Sequence, residues 1–304
     1  MSARAALSIL YSALHPKDGE YLPAYFYRVS EYANWLTPKE LLSHFGASTI
    51  GYRETLLPYW IIRYAHSEDQ TIDQETIYAQ HTEFKFWQGF IGNLAFKNYL
   101  NSQLKNSRTG RVLFKGESVL CEHKVIRSCP LCAAEDKHKF GFAYWRAHHQ
   151  IPTVFTCHRH NKPLHERPWE RQNYSQEYFT NRTEIKVNEL QAWLEQETKA
   201  LILLPNIDAR QRIKNDQKKL SDSVLLMPFN THSFSKEWRD TLKNQLQQLY
   251  GLSEHTAYDV AGALYLHPMK LLSKDSKVHP LVFLLFKYFI LIKGGRFDHD
   301  VKFA

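Results

Sequence analysis

The pattern Cys129-Pro130-Leu131-Cys132, followed downstream by Cys157-His158-Arg159-His160, constrains this chain more than any other feature, because it offers four soft ligands as two short pairs. Tetrahedral zinc takes thiolates and imidazoles in such pairs: one pair clamps the ion from a tight knuckle and the second closes the other side. Three of the chain's 4 cysteines fall in this pattern. A disulfide between Cys129 and Cys132 would strain the short loop that joins them, and cysteines spaced in this way match no secreted framework. Buried thiols in an ordinary core are the other alternative. Cys121, His123, His158 and His165 lie close enough in sequence to exchange for a ligand, but Cys157 and His160 repeat the gap of the first pair and are preferred. The expected site is closed and structural, holds one Zn2+ and leaves no position for a substrate. Its binding energy is folding energy for the polar 121–165 stretch.

The residues between the two pairs are more specific than the ligands. Glu135-Asp136 leads to Gly141-Phe142-Ala143-Tyr144-Trp145-Arg146, then to His148-His149-Gln150-Ile151-Pro152, and Asn161-Lys162-Pro163-Leu164 follows the second pair. Phe142, Tyr144 and Trp145 give a small module the apolar filling that a metal knuckle lacks, while Pro152 and Pro163 end its elements. Arg146 has two readings, contact with phosphate or pairing to Glu135 or Asp136 within the aromatic packing. This succession resembles the TniQ/TnsD family, the target-site selectors of bacterial cut-and-paste transposons. The family pattern is C-P-x-C, an acidic pair, G-x-x-Y/F-W-R, H/D-Q/W-L/I-P and C-x-x-H-x-x-x-L, and each part has its counterpart here. The likeness is carried by this module and runs more faintly from about Glu20 to the last hydrophobic segment. It implies a non-catalytic adaptor that associates with target DNA, directly or through a guide-RNA targeting complex. Such an adaptor recruits the AAA+ ATPase regulator, which in turn brings the transposase.

With 43% hydrophobic and 14% aromatic residues the chain has ample material for a core, so it is not a disordered scaffold. Its net charge of +8 favours a polyanionic partner. The stretch Met1–Leu14 holds one Arg and no cleavage pattern, so no signal peptide is expected. The longest apolar run, Leu281–Ile292, is short and contains Lys287, which fits a buried helix and not a membrane span. A cytoplasmic bacterial setting follows, where reduced thiols suit zinc.

Elsewhere helical periodicity prevails. Leu22, Phe26, Val29, Ala33 and Leu36 recur at helical spacing, and Thr37-Pro38-Lys39-Glu40 then starts a second helix carrying Leu41, Leu42 and Phe45. This is the first helix-turn-helix-like element, and family members open in a similar way. Phe84, Phe86, Trp87, Phe90, Leu94, Phe96, Tyr99 and Leu100 form one aromatic helical stripe. Between 68 and 83 the charges are acidic, whereas Lys97, Lys105, Arg108, Arg111 and Lys115 form a basic block suited to a phosphate backbone. The span Val187–Leu204 reads as a helix with Leu190, Trp193, Leu194 and Leu201 on one face. After Pro205 the polar stretch 205–222 reads as a linker. A second helix-turn-helix-like hairpin follows: Trp238, Leu242, Leu246 and Leu249 define a helix ended by Gly251, and Ser253 caps the next one. Its exposed side would present His255, Thr256, Tyr258 and Asp259, the last unfavourable to phosphate. The segment His279-Pro280-Leu281 and its apolar run resemble the family's H-P-L-x-x-L-L-L. Longer members carry further DNA-reading modules after it, and here Ala304 is the last residue, as in a short adaptor or a fragment.

The expected fold is mainly α, a helical bundle with helix-turn-helix elements and an inserted zinc-ribbon-like module. It divides into an N-terminal helical domain (1–115), the zinc module (116–170) and a C-terminal helical domain (171–304). A transposase would need an acidic triad on a mixed sheet, and a zinc hydrolase an open site with a base as in H-E-x-x-H; neither pattern is present. Two alternatives remain: a His-Asn-His type nuclease, since His158, His160, Asn161 and His165 cluster beside the knuckle, although a metal on His160 leaves His158 and His165 without a paired acid; and a stand-alone zinc-containing transcription regulator.

Overall fold

Apolar periodicity near 3.6 predicts a helical chain, and the computed structural model is mainly helical over the residues it describes: 16–33, 61–62, 65, 73–91, 93–105, 114, 119–120, 125–168, 179, 183–226, 231–273 and 278–294. The first half contains α1 (Leu22–Ala33), α2 (Gln74–His81), α3 (Phe84–Trp87) and α4 (Asn93–Lys105). The cysteine region holds β1 (Val125–Ser128), α5 (Pro130–Phe140), α6 (Ala147–Gln150), β2 (His165–Pro168) and β3 (Thr183–Glu184). The remainder is α7 (Glu189–Ile202), α8 (Asn206–Leu226), α9 (Thr231–Tyr250), α10 (Glu254–Leu264), α11 (Pro268–Leu271) and α12 (Pro280–Ile292).

A helix that is apolar all round must be covered all round, and α12 is buried from Pro280 to Lys287 and again at Phe289 and Ile290. Helices α7, α8 and α9 provide the cover. Trp238 of α9 lies with its ring 5.0 Å from Phe286 and 5.5 Å from Phe289. Lys287, which interrupts the apolar run, is answered inside the protein: its Nζ donates to Glu197 of α7 at 2.7 Å and to Asp216 of α8 at 2.8 Å. Among the described residues no helix is long and apolar enough to cross a membrane.

That pairing explains a correction. The stretch 205–222 is helix and not linker, because α8 carries a sparse apolar stripe of buried Ala209, Ile213 and Leu220 beneath its charges. Two of its charged residues face partners: Arg212 reaches Glu197 at 3.2 Å and Asp216 reaches Lys287. Helix α8 passes so close to the 3-10 turn Gln88–Phe90 that a Cβ at Gly89 would meet Ile213 Cδ1 at 2.8 Å. The same turn breaks the expected single aromatic stripe into α3 and α4. Phe86, Trp87 and Tyr99 are nevertheless buried, and Phe84 and Phe96 stack at 4.6 Å against them.

The start of α12 gives a pH-dependent element. His279 is the N-cap, its Nδ1 accepting from the Leu281 N–H at 3.2 Å, with Pro280 at the first helical position. Complete burial pushes this imidazole down to about 3. A histidine whose folded pKa lies below its unfolded value contributes stability above the unfolded value and loses it as pH falls. Between pH 7 and pH 5 the protein should therefore lose about 2 kcal/mol through this group alone. His279→Asn keeps a capping side chain, so urea midpoints at the two pH values should converge in that variant; an unchanged difference would refute the assignment.

The N-terminal segment is bound to the cysteine region. Tyr21 N–H donates to Trp145 O at 2.6 Å and Ala147 N–H to Gly19 O at 2.8 Å. Glu20 and Arg28, 1% and 2% exposed, form a doubly hydrogen-bonded ion pair with both contacts at 2.7 Å. The Arg28 guanidinium also covers the Phe142 ring at 4.6 Å. One continuous apolar cluster runs from Leu22 to Ile290 and includes Cys129, Cys132 and Cys157, so the three expected segments share a core. The expected helix at Pro38 and the acidic stretch 68–72 lie outside the described residues.

Candidate metal centre

The first ligand pair is positioned by a helix start. Cys129 is the N-cap residue of α5, Pro130 occupies the first turn where a missing N–H is harmless, and Cys132 follows within that turn. Gly141, at φ +80°, ends α5 in the left-handed region, its N–H bonded to Lys137 O at 2.9 Å. The second pair sits on a tight turn: Asn161 N–H reaches Cys157 O and Cys157 N–H reaches Lys162 O, each at 2.8 Å. Asn161 takes φ +49°, a conformation asparagine tolerates. An antiparallel sheet in the order β1-β2-β3 carries the two turns, with Ile126 opposite Arg167 and Ser128 opposite His165.

These elements bring Cys129, Cys132, Cys157 and His160 together, with ligand atoms all within 4.8 Å of one another. Cys132 Sγ lies 3.6 Å from Cys157 Sγ. His160 Nδ1 lies 3.5, 3.4 and 3.6 Å from the sulfurs of Cys129, Cys132 and Cys157. Bond lengths for zinc give tetrahedral edges of about 3.8 Å between sulfurs and about 3.5 Å between sulfur and nitrogen, so the cluster can hold one metal ion and its dimensions suit zinc. Cys121 and His123 lie outside the described residues. His158 is exposed on the turn and His165 is in β2.

Burial pushes the Cys132 thiol up to about 12. A thiolate there is costly without a cation, and the positive end of α5 together with a bound metal offsets that cost. The remaining imidazole nitrogen is accounted for as well: His160 Nε2 pairs with Glu135 Oε1 at 2.8 Å, and Arg159 holds the other oxygen of Glu135 at 2.9 Å. A carboxylate behind a ligating histidine fixes its tautomer and orientation, here leaving the Nδ1 lone pair for the metal. Glu135→Ala should weaken metal affinity by about 10–100-fold while the protein stays folded; competition with a chromophoric chelator measures this, and unchanged affinity would refute the role.

The rest of the motif builds the scaffold. Asp136 accepts from Arg146 Nη2 at 2.7 Å, and Arg146 Nη1 donates to Tyr144 Oη at 2.7 Å. Burial nevertheless holds the Asp136 carboxyl up at about 6, despite the opposing charge of Arg146. Of the two readings of Arg146, the structure adopts the internal pairing. Gln150 bridges Arg127 O and Arg146 O through its Nε2, at 2.8 and 3.1 Å. Arg127, 2% exposed, donates to the carbonyls of Ile151, Pro152 and Val154. Glu195 of α7 accepts from Phe155 N and Thr156 Oγ1, fastening the module to the bundle. Sequence reasoning missed Arg127 and Glu195, since a charged residue flanked by Ile126 or on a helix carries no mark of an internal partner. Gln150 was marked only by its place in the motif.

Of the residues expected to face DNA, the structure describes part. Lys97 is exposed on α4, Lys105 ends that helix, and Arg108, Arg111 and Lys115 lie outside the described residues. In the second hairpin, Gly251 at φ +63° closes α9 and Ser253 caps α10 by accepting from Thr256 N–H at 3.2 Å. His255 and Tyr258 are exposed, but His255 Nδ1 lies 3.3 Å from Asp259 and the Thr256 hydroxyl is engaged with Ser253 at 2.8 Å.

The sequence profile of the TniQ family matches residues 12–164, half of the chain, and the match runs from the N-terminal segment through both ligand pairs. No curated protein matches. The span of that match, together with the four gathered ligands and the motif residues packed between them, places the chain in the TniQ family of transposition-associated proteins.

Proposed function

We propose that this protein is a non-catalytic adaptor in target selection for DNA transposition, built around one structural zinc held by Cys129, Cys132, Cys157 and His160. Bound there, zinc would crosslink the start of α5 to the Cys157–His160 turn. With four protein ligands, such an ion would have no position left for substrate, and the half-chain family match carries the reading. In this role the protein associates with target DNA, directly or through a targeting complex such as a guide-RNA assembly. It recruits an AAA+ ATPase regulator, and the transposase joins through that ATPase. Its net charge of +8 supports phosphate contact, with Lys97, Lys105, Arg108, Arg111 and Lys115 as the leading block and His255 and Tyr258 as weaker candidates. A cytoplasmic bacterial location is part of the same reading.

Co-purification with an AAA+ ATPase regulator of transposition, with ATP and DNA present, tests the proposal. A ternary assembly that depends on this chain is expected. Binding to DNA with no retention of the ATPase would favour the transcription-regulator reading. DNA cleavage with magnesium or manganese, lost on His158→Ala, would favour the nuclease. Among the described residues no carboxylate pairs with His158, whose ring instead lies 4.5 Å from that of His148.

A further inference from the structure

Beside the metal centre lies a cleft of about 250 Å³, between the end of α2, the start of α6 and the end of α7. Lys85, Arg146, His148 and His158 line it, with Asp18 as the one acid in its wall. His148 Nε2 is sealed from solvent and has no hydrogen-bond partner, and the same holds for Arg146 Nε. Buried donors in native proteins rarely stay unanswered. Lys85 is exposed and makes no ion pair among the described residues. Lys199 and Lys85 are the lysines whose charge acts on His148. Lys199 is answered by Glu195 at 2.8 Å, whereas Lys85 is not.

Unanswered N–H donors in a positive wall call for an anion with several acceptor oxygens. A divalent cation is disfavoured there by Lys85 and Arg146, although two imidazoles are adjacent. The volume falls below the roughly 300–1,000 Å³ typical of pockets that enclose a free organic ligand, so the cleft suits a small group presented on a larger molecule. His158 belongs to the metal-binding turn, so an anion seated here would lie directly against the module.

We propose that this cleft seats one phosphodiester group of a nucleic-acid backbone, with Lys85 Nζ as its charged donor and His148 Nε2–H as a second donor once the imidazole turns toward the bound group. The inference rests on the reading that the protein associates with nucleic acid, and it adds a contact outside the basic block of Lys97 to Lys115. The zinc-loaded full chain is titrated with a labelled DNA duplex and a labelled RNA stem over a series of salt concentrations. Lys85→Ala should weaken binding roughly tenfold and reduce the salt slope by about 0.9. Lys85→Arg should restore both. His148→Phe, which keeps the ring and removes the donor, should weaken binding with the slope unchanged. Salt-dependent wild-type binding that Lys85→Ala leaves untouched would overturn the cleft and leave the adaptor reading standing. Wild-type protein that binds neither nucleic acid would overturn both. If inorganic phosphate stabilises the wild type but not Lys85→Ala, and nucleic acid binding ignores the substitution, the cleft takes free phosphate and the backbone assignment fails.

Discussion

Cys132→Ser is expected to release the metal and unfold the region from β1 to β2, the largest single effect predicted for this chain. The other three ligands cannot close a tetrahedron, and apparent binding energies for structural zinc, about 10–16 kcal/mol, equal or exceed the 5–15 kcal/mol net stability typical of a domain, to order of magnitude. The loss should spread, because Cys129, Cys132 and Cys157 lie in the same apolar cluster as α12 and α1. Leu131→Ala is the control: it changes the same turn at a side chain 47% exposed, and metal content and thermal midpoint should stay at wild-type values. Near-UV circular dichroism reports the packing of Trp145, and metal analysis reports occupancy. A Cys132→Ser protein with native dichroism would contradict the structural role.

The second large effect concerns the ion pair that joins the N-terminal segment to the module. Arg28→Met leaves the Glu20 carboxylate 1% exposed with, among the described residues, only the Lys17 N–H, at 2.8 Å, to answer it. Removing one partner of a buried pair costs about 3–5 kcal/mol, because the remaining charge is uncompensated. The same substitution removes the guanidinium from the face of Phe142. Adding Glu20→Gln to Arg28→Met should recover much of the loss, since a neutral pair no longer carries a stranded charge. Urea denaturation of the four proteins in the cycle measures the coupling. Equal midpoints for the single and double variants would refute it.

What could be read in advance and what could not divide along physical lines. The ligand set was legible because metal chemistry demands few residue types at short spacings. Helix α9 and the buried α12 were legible because apolar residues recur along them, and the cap at Ser253 because a serine follows Gly251 just before the next helical pattern. Helix α8 was not: its apolar stripe of Ala209, Ile213 and Leu220 is thin, and its charged face is satisfied by Glu197 and Lys287, residues distant in sequence. The break between α3 and α4 was missed for a related reason. Aromatic spacing continues through the 3-10 turn, and Gly89 sits there because α8 approaches too closely for a side chain. Lys287 looked like an interruption of an apolar run and is instead the centre of a buried ion cluster. Arg146 shows the converse case, in which both readings were visible and only the position of Asp136 decided between them.

The metal content of the purified protein is the most direct test of the account. One zinc per chain is predicted, with its removal by a strong chelator lowering the thermal midpoint and freeing three thiols to a thiol reagent, those of Cys129, Cys132 and Cys157, which are buried in the folded protein. A metal-free protein that melts at the same temperature with and without chelator, its three thiols still protected, would contradict it.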